Sequence, residues 1–351
     1  MIHAITYGSL IGSGILPIQI AREQPISSSR LDLVVFDKQI NGQFYQSNLL
    51  PKAAIEVKGG AYGNRNALHD EISSNGYCAD MDKLEKEALK GVESWFICID
   101  MPELGRSINL NRIADIYAQC KSRHISFAYY CQGEDSFFNA PTDTKESYEK
   151  VNLSNSYGSD TPVQSILNID NPAFITMCNE LLKINGHEAN TVAALYQLFR
   201  DANFGVQQLS LETYFSFAKT NGSRMHDRPD MVIFNQHFDG KFNLYKGGNK
   251  NCSNDAHKMA HINTIFEVKG SALMNKKGDS ARLKIYLDDI TKLQNWQNMA
   301  SKNGSKDLKA YFICLDGRKK SLHNSAIEEM VNKSSNVSIV YIGNERIEVF
   351  P

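Results

Sequence analysis

Four consecutive residues, Glu-Val-Lys-Gly, occur twice in this 351-residue chain, at Glu56-Val57-Lys58-Gly59 and at Glu267-Val268-Lys269-Gly270. Each copy follows an apolar run that carries an aspartate, Arg30-Leu31-Asp32-Leu33-Val34-Val35-Phe36-Asp37 in one half and Arg228-Pro229-Asp230-Met231-Val232-Ile233-Phe234-Asn235 in the other. The likeness continues in one order along both halves. Gln19-Ile20-Ala21-Arg22-Glu23 matches Leu209-Ser210-Leu211-Glu212, and Asp80-Met81-Asp82-Lys83-Leu84 matches Asp288-Asp289-Ile290-Thr291-Lys292-Leu293. Phe96-Ile97-Cys98-Ile99-Asp100 matches Phe312-Ile313-Cys314-Leu315-Asp316, and Ile125–Tyr130 matches Val337–Ile342. The offsets between matched positions run from 189 (Glu23 to Glu212) through 198 and 211 to 216 (Cys98 to Cys314). They drift by loop-sized steps, as duplication followed by insertions and deletions produces. The chain must therefore fold the same unit twice.

Periodicity predicts helix, strand, strand, strand, helix, strand, helix, strand in each copy. Asn41-Gly42 and Asp239-Gly240 are hairpin signals that join the early strands. The last two strands follow helices, so crossover connections should give a mixed central sheet flanked by helices. The expected division is a first α/β domain over residues 1–140, a linker and bridging helical segment over 141–190, and a second domain over 191–351. Hydrophobic residues make up 42% of the chain, enough for two ordinary cores.

The charges nearly cancel, 38 Lys and Arg against 39 Asp and Glu, but the halves differ. Residues 191–351 hold 22 cations and 16 anions, and residues 1–190 hold 16 and 23, so a nucleic acid should prefer the second half. Seven cysteines without a C-x-x-C pair indicate neither a disulfide framework nor a zinc ribbon, and Cys98 and Cys314 should be buried thiols. The first basic residue is Arg22, so no secretory signal is expected, and no apolar run is long enough for a membrane span. The expected location is the cytoplasm.

Side chains alternate along a strand, so Glu56 and Lys58 should share one face while Val57 enters the opposite core, and likewise for Glu267, Lys269 and Val268. A neighbouring strand would bring Asp32 or Asp230 alongside. Two carboxylates and a few waters suit Mg²⁺ or Mn²⁺, and the lysine would orient an attacking water and offset charge on a phosphodiester. Glu23 and Glu212 could add a ligand or hold metal-bound water.

These residues, Asp32…Glu56-Val57-Lys58 and Pro229-Asp230…Glu267-Val268-Lys269, resemble the motif of the PD-(D/E)xK nuclease superfamily, with Leu31 in place of the motif proline in the first copy. The resemblance covers roughly residues 3–133 and 192–350. It implies two tandem restriction-endonuclease-like domains and metal-dependent phosphodiester cleavage. Asp32, Glu56, Asp230 and Glu267 would be metal ligands, and Lys58 and Lys269 would complete two catalytic sites. DNA is the expected substrate ahead of RNA, in a defence, toxin or mobile-element setting that leaves room for an immunity or inhibitor protein. The chain would act as a monomeric pseudo-dimer or a homodimer.

Lys276, Lys277, Arg282 and Lys284 follow the second motif closely and are expected to grip nucleic acid, which makes the second copy the stronger candidate if one site dominates. Three alternatives remain. An RNase could stack bases on Tyr62, Tyr77 or Tyr245. A single-site nuclease would use the first domain as scaffold. Two inactivated nuclease folds would make a non-catalytic module that binds nucleic acid or protein.

Overall fold

The computed structural model describes residues 2–26, 29–37, 51–59, 76–86, 89–100, 110–131, 136–140, 147–150, 159, 161–184, 188–205, 208–213, 215–218, 224–235, 259–270, 277–302, 305, 307–318 and 321–351. The two hairpin signals at Asn41-Gly42 and Asp239-Gly240 lie outside these residues, as do Tyr62, Tyr245 and Lys276.

The first half opens with helix α1 (Ile2–Gly12), followed by strands β1 (Ile20–Ile26), β2 (Ser29–Val35) and β3 (Ala53–Gly59). Helix α2 (Tyr77–Leu84) leads to β4 (Glu93–Asp100), and α3 (Leu110–Ser122) leads to β5 (Ser126–Cys131). Strands β6 (Ser136–Ala140) and β7 (Ser147–Lys150) then extend the same sheet, in the order β1-β2-β3-β4-β5-β6-β7. The sheet thus runs beyond the boundary expected at residue 140. Only the β3–β4 and β4–β5 pairs are parallel, each bridged by a helical crossover.

The second half repeats the plan. After α4 (Val163–Ile166) and α5 (Pro172–Ile184), helix α6 (Glu188–Asp201) stands where α1 stands in the first copy. Strand β8 (Leu209–Leu211) precedes a short separate ribbon of β9 (Phe215–Ala218) and β10 (Arg224–Asp227), and β11 (Met231–Phe234) and β12 (Ile262–Lys269) follow. Helix α7 (Asp279–Lys302), β13 (Lys309–Asp316), α8 (Asn324–Lys333), β14 (Val337–Gly343) and β15 (Arg346–Phe350) complete the chain. The sheet order β15-β14-β13-β12-β11-β8 matches the first, again with parallel pairs only at β12–β13 and β13–β14.

Backbone detail repeats as well. Gly14 and Asn203 take left-handed conformations just past α1 and α6, so the N–H groups of Ile15 and Phe204 reach back five residues to Leu10 and Phe199. Glu23 (φ 54°) and Glu212 (φ 50°) form a second left-handed pair, and His124 with Asn336 a third, each just before the last parallel strand.

Three cores follow from the strand alternation. Phe96, Cys98 and Phe127 pack outward against α2 and α3, and Phe312, Cys314 and Ile339 pack outward against α7 and α8. Both thiols are free and fully buried. Val57 and Val268 point the other way, into a third cluster that both sheets share with Tyr7 of α1, Phe174 of α5, and Leu195 and Phe199 of α6. The central helices are therefore core, because each lends an apolar face to two sheets at once. Polar bonds cross the same seam: Asn190 accepts the Arg22 N–H at 2.9 Å, donates to the Ile20 carbonyl at 2.8 Å, and the Arg22 guanidinium donates to the Ala189 carbonyl at 2.5 Å. No helix among the described residues is long and apolar enough to cross a membrane.

Candidate functional site

Strand pairing assembles the first site. Arg22 pairs with Leu33 and Gln24 with Leu31, which sets Glu23 opposite Asp32. Asp32 Oδ2 accepts the Val57 N–H at 2.8 Å, and the Asp32 N–H donates to Glu56 Oε1 at 3.3 Å. The motif aspartate is thus fixed between Glu23 and Glu56. Glu56 is 1% exposed, and Lys58 follows it on the same face.

Two residues of α2 complete the arrangement. Lys83 Nζ lies 3.0 Å from Glu56 Oε2 and 2.7 Å from Asp80 Oδ1, while the other Asp80 oxygen holds Lys58 Nζ at 2.5 Å. From α1, His3 Nε2 lies 3.4 Å from Asp32 Oδ2. His3, Glu23 and Asp32 place one ligand atom each within 4.8 Å of one another.

The second site has the same skeleton. Asp230 Oδ2 accepts the Val268 N–H at 2.7 Å, and the Glu212 N–H donates to the Asp230 carbonyl at 3.2 Å. Lys292 of α7 meets Glu267 Oε1 at 2.5 Å. Lys269 is held less tightly than Lys58, 3.6 Å from Asp289 Oδ2 and 3.5 Å from Glu188 Oε2. Glu188 opens α6 and approaches its site where α1 sends His3 to the other. Glu212 also acts electrostatically on His3, Arg22 and Glu23, so the sites adjoin across the seam between the copies.

Burial dominates the electrostatics. Desolvation, then the neighbouring Asp32, pushes the Glu56 carboxyl up to about 9; desolvation, then Asp230, pushes Glu267 up to about 8. Burial also raises Asp32, Asp230, Glu23 and Asp289, and raises Glu188 to about 7. His3 falls to about 3, first through burial and then through Arg22, which leaves a neutral imidazole able to act as a ligand. Burial pulls Lys269 down, but Glu188 and Asp289 outweigh it and raise it overall.

His3, Glu23 and Asp32 are the one group of three donors, among the described residues, that could hold a metal ion; the second site brings its carboxylates near two lysines without forming such a group. The second site gathers the carboxylates of Glu188, Asp230, Glu267 and Asp289 around two ammonium groups, those of Lys269 and Lys292. The first gathers Glu23, Asp32, Glu56 and Asp80 around Lys58, Lys83 and the flanking Arg22. Acidic groups outnumber basic ones at both, and burial lets the Glu56 and Glu267 carboxyls keep their protons at neutral pH. Oxygen donors suit Mg²⁺, and His3 would admit Mn²⁺ at the first site.

Asp32, Glu56 and Lys58 are brought together, as are Asp230, Glu267 and Lys269, and Glu23 and Glu212 lie beside them. His3, Asp80, Lys83, Glu188, Asp289 and Lys292 were not expected as site residues. The repeated Asp-x-x-Lys, Asp80/Lys83 and Asp289/Lys292, was the available signal. Two expectations need correction. Arg282 cannot grip nucleic acid, because its side chain is fully buried, 3.2 Å from Asp316 and bonded to the Tyr286 hydroxyl at 2.9 Å. Tyr77 cannot stack on a base, because it is fully buried beneath Arg112. Lys277 and Lys284 are exposed. No protein-family model, no curated protein and no solved structure matches this chain.

Proposed function

We propose that the chain is a divalent-metal-dependent endonuclease made of two PD-(D/E)xK nuclease modules in one polypeptide, acting on DNA. The observation that carries this reading is the repeated bond from the Val57 or Val268 N–H to the motif aspartate, which sets Asp beside the Glu-x-Lys strand in the same register in two separated stretches of sequence. A surface ion pair has no reason to recur with its buried glutamate, its backbone anchor and its strand order intact.

Asp32 and Glu56, or Asp230 and Glu267, would hold the ion, with Glu23 and His3 adding donors at the first site. When bound, the ion would lower the pKa of a water and neutralise charge on a phosphodiester. Lys58 and Lys269, on the same strand face as the glutamates, would orient that water and offset the charge developing on phosphorus-bound oxygens. Asp80 and Asp289 keep those lysines from pairing with the ligand carboxylates. Adjoining sites in one chain suit the two strands of a duplex.

Tighter clamping of Lys58 by Asp80 than of Lys269 by Asp289 favours one further reading, that the second site is the faster. The test is cleavage of supercoiled plasmid with Mg²⁺ or Mn²⁺ by the wild type, Lys58→Ala, Lys269→Ala and the double variant. Linear product from the wild type, nicked circles from each single variant and none from the double support two working sites. Loss of all activity in Lys269→Ala alone supports one. A wild type inert on plasmid, single-stranded DNA and RNA refutes the nuclease reading.

A further inference from the structure

The repeat shows which residue of the second copy corresponds to His3. Tyr7 and Tyr196, Leu10 and Phe199, and Glu23 and Glu212 are each 189 residues apart, and the first two pairs lie on α1 and α6. The Leu10 and Phe199 carbonyls accept the same five-residue bond past the ends of their helices, which fixes the register. In that register His3 corresponds to Val192, which is buried in the core that both sheets share. The second copy therefore keeps both acids, Glu212 and Asp230, but has a hydrocarbon where the first has an imidazole.

The imidazole is placed as a ligand. One donor atom from each of His3, Glu23 and Asp32 lies within 4.8 Å of the others, and His3 Nε2 stands 3.4 Å from Asp32 Oδ2. Metal bonds of about 2.0–2.2 Å in a tetrahedral array put neighbouring ligand atoms about 3.3–3.6 Å apart, so that contact already fits one ion. Glu23, on a longer side chain, needs only a small rotation to close the rest. A single residue orients the other two donors. The Val57 N–H donates to Asp32 Oδ2 at 2.8 Å, and the Val57 backbone also hydrogen-bonds the His3 ring. Outer contacts of this kind hold ligating side chains in place around a metal. Glu212 of the second copy adds negative charge beside His3 and Glu23, while the nearby Arg22 guanidinium is bonded to the Ala189 carbonyl. All three donors are partly exposed, so an ion can reach them from solvent, whereas Glu56 is nearly sealed.

We propose that His3, Glu23 and Asp32 form a metal site particular to the first copy, which takes Zn²⁺ in preference to Mg²⁺. One imidazole nitrogen and two carboxylates, with a fourth position left to water, make a four-coordinate set that suits Zn²⁺. Mg²⁺ prefers an octahedron of oxygens and gains little from the nitrogen. Glu56 lies outside the group, so the site goes beyond the nuclease reading and does not depend on cleavage.

The test is isothermal titration of the untagged full chain with Zn²⁺, without and with excess Mg²⁺. The wild type is compared with His3→Val, His3→Gln and Glu23→Gln, each checked for folding by circular dichroism. The wild type should bind one Zn²⁺ through these residues, nearly as tightly when Mg²⁺ is in excess. His3→Val, which copies the second half, should weaken that binding by about a hundredfold, since loss of even an outer contact costs about 10–100-fold. Glu23→Gln should weaken it as well. If His3→Val does not fold, His3→Gln removes the imidazole while keeping a polar side chain. Wild-type Zn²⁺ affinity in the folded His3 variants, or no Zn²⁺ uptake by the wild type, overturns the site. Plasmid cleavage in Mg²⁺ is scored separately. A wild type that cleaves but takes up no Zn²⁺ loses this site alone, and one that binds Zn²⁺ through His3 yet cleaves no nucleic acid loses the nuclease reading alone.

Discussion

Glu23 and Glu212 share a left-handed backbone, φ 54° and 50°, each directly across the ladder from a motif aspartate and near enough to feel the other's charge. Glutamate is a poor occupant of that conformation, which strains a residue with a Cβ by about 1–3 kcal/mol. Paired strain beside two acidic sites is what a functional requirement would leave behind.

Replacing either residue by glycine should therefore stabilise the fold and harm the site. Glu23→Gly removes the steric strain and the repulsion with Asp32, and should gain about 1 kcal/mol in urea denaturation. Cleavage should fall at the same time. Loss of stability in the glycine variant would show that the glutamate side chain stabilises this part of the strand.

The raised glutamates set a pH dependence whose sign is fixed. Glu56 and Glu267 move from 4.5 to about 9 and about 8, so the folded chain keeps protons that the unfolded chain loses. Their contribution to stability is fully present below about pH 4.5 and is lost as pH rises toward 8 and 9. A bound cation needs the deprotonated form, so its affinity should rise across the same window, with protons released on binding at pH 7. Calorimetric titration in two buffers of different ionisation enthalpy measures that release. Identical heats in both would mean the glutamates are already ionised.

The shared core predicts that the halves unfold together. Tyr7, Val57, Leu195 and Val268 lie in one cluster, so separating the sheets exposes both. Scanning calorimetry should show a single transition. Asn190→Ala should lower stability by about 1–3 kcal/mol, because the buried Arg22 N–H and Ile20 carbonyl lose their partner. Two resolved transitions would mean the halves are independent.

Much of this architecture is legible in the sequence because the repeat supplies an internal check. Apolar strands carrying Asp32, Glu56 and Lys58 stand out, since charges are costly there unless they have a purpose. Asp80 and Lys83 do not stand out, because an Asp and a Lys three apart on a helix read as a solvated face, and only their recurrence as Asp289 and Lys292 marks them. His3 and Glu188 arrive from helices distant along the chain, and strand periodicity says nothing of them. Arg282 misleads for a different reason. Near Lys276 and Lys277 it looks like part of a cationic surface, yet its helical spacing to Tyr286, Ile290 and Leu293 places it on the buried face of α7.

That placement separates two kinds of cation in the second half. Arg282→Ala should destabilise the chain by about 3 kcal/mol, since it leaves the buried Asp316 with Arg318 as its one cation beside the Tyr341 hydroxyl and Leu322 N–H, and should not change the salt dependence of any DNA binding in the fraction that folds. Lys277→Ala and Lys284→Ala should leave stability nearly unchanged, because both side chains face solvent. If they contact phosphates, each should lower the slope of log affinity against log salt by about one. Fluorescence anisotropy with a labelled duplex over a salt series reads the slope. A slope unchanged in the double lysine variant would move the nucleic-acid surface away from the start of α7.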